Sequence, residues 1–155
     1  MTDEVEAYWQ RFLASQPVDS PYHQHGYDAC KWGDHREMAE ELGTLIASGT
    51  KTASCSSLWE WEAEGDPIPE AGEVTIVLNW EGAPLCIIET VEVETKPYNQ
   101  VDAQFAYEEG EGDRSIQYWR EAHWHFFSRT LAAIGREPSE DMPLVCERFR
   151  VIYKE

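Results

Sequence analysis

Gly72-Glu73-Val74-Thr75-Ile76-Val77-Leu78-Asn79-Trp80-Glu81-Gly82-Ala83-Pro84-Leu85-Cys86-Ile87-Ile88-Glu89 decides the fold class. Val74 to Trp80 is a run of β-branched and large apolar residues, which predicts a strand. Glu81-Gly82 is a turn, and Pro84 to Glu89 is a second apolar run. Two such runs around a short turn make a hairpin. Val91-Glu92-Val93-Glu94-Thr95 alternates and extends the second strand. A last strand is expected from Leu144 to Tyr153.

Helices are expected on both sides of this hairpin. Val5, Tyr8, Trp9, Phe12 and Leu13 recur at three-to-four spacing and predict a helix over 3–15, with Thr2-Asp3 as its cap. A loop is expected from Ser20 to Cys30. A second helix is expected over 34–48, with Asp34 and Glu37 in a capping-box pattern and Gly49 as its stop. The acidic stretch from Glu60 to Glu73, broken by Gly65, Pro67, Pro69 and Gly72, reads as a solvated connector. After the hairpin come a short helix over 101–107 and a long one over 115–134, with Trp119, His123, Phe126, Phe127, Leu131 and Ile134 near one side. Helices and strands do not alternate one for one, which argues against a parallel doubly wound sheet. The expected class is α+β: a small, curved antiparallel sheet or barrel flanked by helices, with an extra N-terminal helix.

Composition narrows the function. The chain has 155 residues, 42% of them hydrophobic, enough for a sizeable core. Twelve Lys+Arg stand against thirty Asp+Glu, a net charge of −18. Proteins that grip polyanions neutralise phosphates with cations, so RNA is a disfavoured partner and an anionic membrane likewise. A weakly charged small molecule is easier to hold. No run approaches the roughly 18 apolar residues of a spanning helix. The opening residues are acidic and polar, not a signal peptide, so a cytoplasmic protein with reduced thiols is expected.

No metal and no cofactor are expected. Cys30, Cys55, Cys86 and Cys146 are separated by 25, 31 and 60 residues, which is not zinc spacing. His123 and His125 project to nearly opposite sides of a helix.

Two segments carry chemistry. Gly49-Thr50-Lys51-Thr52-Ala53-Ser54 puts a cation and hydroxyls after a helix stop. It lacks the spacing of a phosphate loop. Read plainly it is a turn and edge strand; read functionally, Lys51 activates a nearby hydroxyl. Phe105-Ala106-Tyr107-Glu108-Glu109-Gly110-Glu111-Gly112-Asp113-Arg114-Ser115 gathers carboxylates before a helix. Asp113 reads as that helix's N-cap, whereas Glu108 or Glu109 can pair with Lys51 or donate a proton. Seven tryptophans offer faces on which a base can stack.

Together these pieces resemble the ASCH domain family. The resemblance is carried by Trp32-Gly33-Asp34, Gly49 to Ser54, Phe105-Ala106, Glu109 to Ser115, Tyr118-Trp119, His123 and Phe126-Phe127. It implies a PUA-like fold over residues 27–155, preceded by a helix and loop over 1–26. It also implies a substrate class, since some small bacterial members are similar to amidohydrolases that remove the acyl group from N4-acetylcytidine. Carried over by motif, the lysine is Lys51 and the glutamate is Glu109, with Glu108 as the alternative. The nucleophile is Ser54, where the family pattern has threonine, with Thr52 as the fallback. Thr52, Glu108 and Trp32 are the implied substrate-binding residues. In a regular strand residues 51 and 54 face opposite sides, so Lys51 and Ser54 meet only if the chain bends. The alternatives are an RNA-binding PUA-like module without catalysis, or a ribonuclease using Lys51 and Ser128.

Overall fold

A computed structural model describes residues 3–155; the expected cap at Thr2 lies outside them. The elements are α1 (Asp3–Ala14), β1 (Asp28–Lys31), α2 (Arg36–Ala47), β2 (Ala53–Ser57), α3 (Leu58–Glu64), β3 (Val74–Leu78), β4 (Pro84–Pro97), α4 (Ala103–Glu109), α5 (Ile116–Ala132) and β5 (Pro143–Tyr153). The class is α+β. The strands hydrogen-bond in the order β1-β3-β4-β5-β2. No helix among the described residues is long and apolar enough to cross a membrane.

The chain forms two compact units. The first comprises Met1–Gly49, Gly72–Glu89 and Arg150–Glu155, and the second Thr50–Ala71 and Thr90–Phe149. In the first, the predicted hairpin is present: β3 runs antiparallel to β4, with Val74 opposite Glu89 and Ile76 opposite Ile87. Its first strand ends at Leu78, earlier than the predicted Trp80. The Asn79 carboxamide there accepts from the Ala83 N–H at 2.9 Å and closes the turn. The stripe of α1, Val5, Tyr8, Trp9 and Phe12, packs with Val74, Ile76 and Ile87 in one core. Tyr8 and Phe12 also meet the ring of Tyr153 edge-on.

Three expectations are corrected here. Asp28–Lys31 is a strand, not loop, and it pairs parallel with β3, so the sheet is not wholly antiparallel. Backbone bonds, rather than an apolar side-chain pattern, order these mostly exposed residues. Helix α2 starts at Arg36 with His35 at the capping position, and no side chain caps it. The Asp34 carboxylate lies 2.9 Å from His35 Nδ1 instead. The acidic connector holds a helix, α3, because its tryptophans find partners. Trp59 packs on the core of the second unit, and the Trp61 indole donates to Ser56 Oγ at 2.8 Å. Gly65, at φ 73°, ends it.

In the second unit, β2 runs antiparallel to β5, with Ala53 opposite Arg148 and Cys55 opposite Cys146. Its core gathers Ala53, Phe105, Trp119, Phe127, Leu131 and Leu144. The predicted stripe of α5 buries Trp119, Phe127 and Leu131. Ser115, not Asp113, caps that helix: its hydroxyl accepts from the Tyr118 N–H at 3.0 Å. The Asp113 carboxylate accepts from the Ser115 N–H at 2.9 Å.

Candidate functional site

The segment at Lys51 is pinned from two directions. The Thr52 N–H donates to the Glu108 carbonyl at 2.8 Å, at the end of α4, and the Thr52 carbonyl accepts from the Phe149 N–H at 3.0 Å, on β5. Gly110 then ends α4 at φ 72°. A Cβ there would stand 2.5 Å from the Thr50 carbonyl oxygen, so glycine is required on both conformational and steric grounds. Arg114, also left-handed at φ 66°, donates to the Tyr107 carbonyl at 2.9 Å and stacks 3.6 Å over the Tyr107 ring. The loop is thereby fixed against the lysine segment. Gly110→Ala is expected to cost about 2 kcal/mol or more, since left-handed strain alone costs about 1–2 kcal/mol and backbone must also give way. A denaturant midpoint within error of wild type would show that the loop relaxes freely.

This packing buries a charge cluster. Lys51 is 1% exposed. Its Nζ donates to Glu109 Oε1 at 2.7 Å and to Glu111 Oε2 at 2.9 Å. Glu109 is as deeply buried, and its Oε2 accepts from the Trp119 indole at 2.6 Å and lies 3.2 Å from His123 Nε2. Trp119 and His123, four residues apart on α5, stack with ring centres 4.3 Å apart. The His123 Nδ1 lies 2.9 Å from the Trp119 carbonyl. A carbonyl only accepts, so Nδ1 carries a hydrogen and Nε2 is the atom turned to Glu109.

Burial opposes the charges of Lys51, Glu109 and His123, and their partners prevail. Lys51 is desolvated, yet Glu109 and Glu111 hold its ammonium well above the ordinary lysine range. Burial would raise Glu109, but Lys51 and His123 drive its carboxyl far below the ordinary carboxylate range. Burial would lower His123, and Glu109 outweighs it, so the imidazolium persists above the usual 6.5. At rest, then, Lys51 is a cation and Glu109 an anion. The Cys55 thiol, also facing Glu109, is pushed well up by burial and by that carboxylate.

The histidine shift has a sign that can be measured. A group whose folded pKa is raised stabilises the fold fully below its unfolded value and loses that contribution as pH rises through the folded value. Stability is therefore expected to fall as pH rises above 6.5 through the His123 titration, which Glu109, Glu111, Lys51 and Cys55 all face. Denaturant midpoints against pH for wild type and His123→Gln check this. The variant should lose the slope, and an unchanged slope would assign it to another group.

The predicted site residues divide. Lys51 and Glu109 are brought together. Glu108 turns away, accepting from Arg148 Nε at 2.8 Å. The Thr52 hydroxyl lies 3.4 Å from the Glu108 carbonyl. Ser54 sits on β2 opposite Glu147, and its hydroxyl has no hydrogen-bond partner among the described residues. The strand period puts Ala53 and Cys55 on the core face and Ser54 on the other. Trp32 belongs to the first unit, and the cluster is built without it. Glu111, Trp119, His123 and Cys55 are the members that sequence reasoning did not assign. The signal for the middle two was there, an aromatic and an imidazole one helical turn apart directly after the carboxylates.

The comparisons with known proteins agree with this architecture. The family model described as the ASCH domain matches residues 28–153. A crystal structure of an ASCH domain from Lactobacillus crispatus JV V101 is 37% identical, with a TM-score of 0.93, over 99% of this chain and 96% of that one. A crystal structure of a protein from Enterococcus faecalis V583 is 38% identical, with a TM-score of 0.85, over 98% of this chain and 90% of that one. A hypothetical protein of known structure, 16% identical with a TM-score of 0.51, shares the fold alone, over 73% of this chain and 93% of that one. No curated protein matches.

Proposed function

Because this chain belongs to the ASCH domain family, whose fold suggests an RNA-binding or hydrolase-like PUA-type module, we propose that it is an amidohydrolase acting on N4-acylated cytosine nucleosides. The observation that carries the reading is the buried Lys51–Glu109 pair, 2.7 Å apart, with Glu111 and His123 at its edges. This lysine has two carboxylates, one of them on a loop and 22% exposed, which gives it a removable partner.

Lys51 enters the reaction as the free amine, its proton passing to solvent when Glu111 turns away. It takes the proton from the Ser54 hydroxyl as the Ser54 oxygen adds to the acyl carbonyl. Reaching Ser54, on the opposite face of β2, requires the lysine stem to swing out of its resting position. The tetrahedral intermediate collapses by breaking the bond between the acyl carbon and N4. The proton passes by way of Glu109 to the departing cytosine amine, and water then hydrolyses the Ser54 ester. A small, weakly charged nucleoside is the partner that suits a net charge of −18, and the cytoplasm is the proposed setting.

Absorbance-monitored hydrolysis of N4-acetylcytidine tests the reading. Ser54→Ala should abolish turnover and Cys55→Ala should leave most of it. The reverse pattern would move the nucleophile to the thiol. No turnover from folded wild type would overturn the substrate, and salt-sensitive RNA binding would then identify the module as an RNA binder. Against that alternative stands the pairing of cations with carboxylates: Lys51 with Glu109 and Glu111, Lys96 with Glu94, and Arg148 with Glu92 and Glu108.

A further inference from the structure

We propose that Cys55, Glu109 and His123 form a binding site for a zinc-class divalent cation inside the second unit. The binding stands by itself; its consequence, arrest of hydrolysis through capture of Glu109, rests on the reading above. One ligand atom from each of the three residues lies within 4.8 Å of the other two. Tetrahedral zinc with bonds of about 2.0–2.3 Å sets its ligand atoms about 3.3–3.7 Å apart. Glu109 Oε2 and His123 Nε2, at 3.2 Å, stand just short of that separation.

The donors are also oriented as zinc ligands are. Nδ1 of His123 is tied to the Trp119 carbonyl, which leaves Nε2 as the coordinating nitrogen. The Trp119 indole donates to Glu109 Oε2 and holds the carboxylate in place. The three ligands come from β2, the end of α4 and α5, elements packed in one core, so little chain must be ordered on binding. A thiolate, an imidazole and a carboxylate suit zinc and cobalt, not magnesium or calcium, which take oxygen ligands. Three protein ligands leave a fourth position for water. The neighbouring Lys51 cation does not forbid the ion. With the thiol and imidazolium protons displaced, a dication leaves the total charge of the cluster unchanged.

Cobalt(II) is the probe, titrated into the reduced, chelator-stripped full chain. One equivalent should bring a near-ultraviolet thiolate-to-cobalt band together with visible bands of tetrahedral intensity, and zinc should bleach both. Cys55→Ser should lose the near-ultraviolet band, and His123→Gln should weaken cobalt binding at least tenfold. Cys30→Ser, which removes an exposed thiol, should keep every band. Zinc should raise the melting temperature of wild type and not of Cys55→Ser, a readout that also confirms the variant is folded. Absence of the thiolate band in wild type, or its persistence in Cys55→Ser, would overturn the site. These signals need no substrate, so a failed hydrolysis assay leaves them intact. If hydrolysis is found, zinc should inhibit it in wild type and spare Cys55→Ser; equal inhibition of both would overturn the arrest.

Discussion

Lys51→Met is expected to lower the unfolding free energy by about 3–5 kcal/mol at neutral pH. Removing one member of a buried pair leaves the other charge without compensation in a medium that solvates it poorly. Glu109 is 1% exposed, and without Lys51 its charge is left with His123, the Trp119 N–H and the Cys55 thiol among the described residues. The loss belongs to the unpaired carboxylate rather than to the missing methylenes, because methionine fills nearly the same volume. Lys51→Met combined with Glu109→Gln should therefore be no less stable than Lys51→Met alone. Chemical denaturation of wild type, Lys51→Met, Glu109→Gln and the double variant measures the coupling. If the two losses simply add, to within about 0.5 kcal/mol, the residues do not act as a pair and the cluster is misdescribed.

Catalysis should respond on a similar scale. Under the proposed function, Lys51→Ala is expected to reduce kcat/KM on N4-acetylcytidine by about 10²–10⁴, the usual worth of a positioned proton acceptor, with EDTA present throughout. Glu111→Gln should act differently. It removes one of the two carboxylates that favour the ammonium, so the rising limb of the pH–rate profile should move to lower pH while the plateau holds. A uniform loss at all pH values would make Glu111 a binding residue instead. A Lys51→Ala enzyme that keeps its rate would remove the lysine from the chemistry altogether.

Much of the fold is legible in the residues. The hairpin is written in two apolar runs around Glu81-Gly82, and α1 in the spacing of Val5, Tyr8, Trp9 and Phe12. What is not legible depends on partners far along the chain. Asp28-Ala29-Cys30-Lys31 has no apolar alternation, and becomes a strand only because β3 offers backbone groups to it. Leu58 to Glu64 reads as solvated acid until Trp59 and Trp61 are seen to pack. The site shows the same division. Lys51 and the Glu109 segment each announce chemistry by residue type. Their meeting turns on Gly110 lying flat against Thr50, a fit that pairwise spacing does not encode. His123 belongs to an apolar stripe by period, and only the depth of Glu109 makes it a charge partner.

The two units are nested along the chain, and this sets the order in which a ribosome can complete them. The second closes when Phe149 has been made. The first begins with α1 yet waits for Arg150–Glu155. Those residues bring the Tyr153 ring to Tyr8 and Phe12, and the Glu155 carboxylate to Arg11. Roughly 140 residues separate the end of α1 from Tyr153, so at about 5–20 residues per second the helix waits about 7–28 s for that partner. The residues that close both units are therefore among the last made, and α1 waits through most of synthesis with its stripe of Val5, Tyr8, Trp9 and Phe12 short of its final partners.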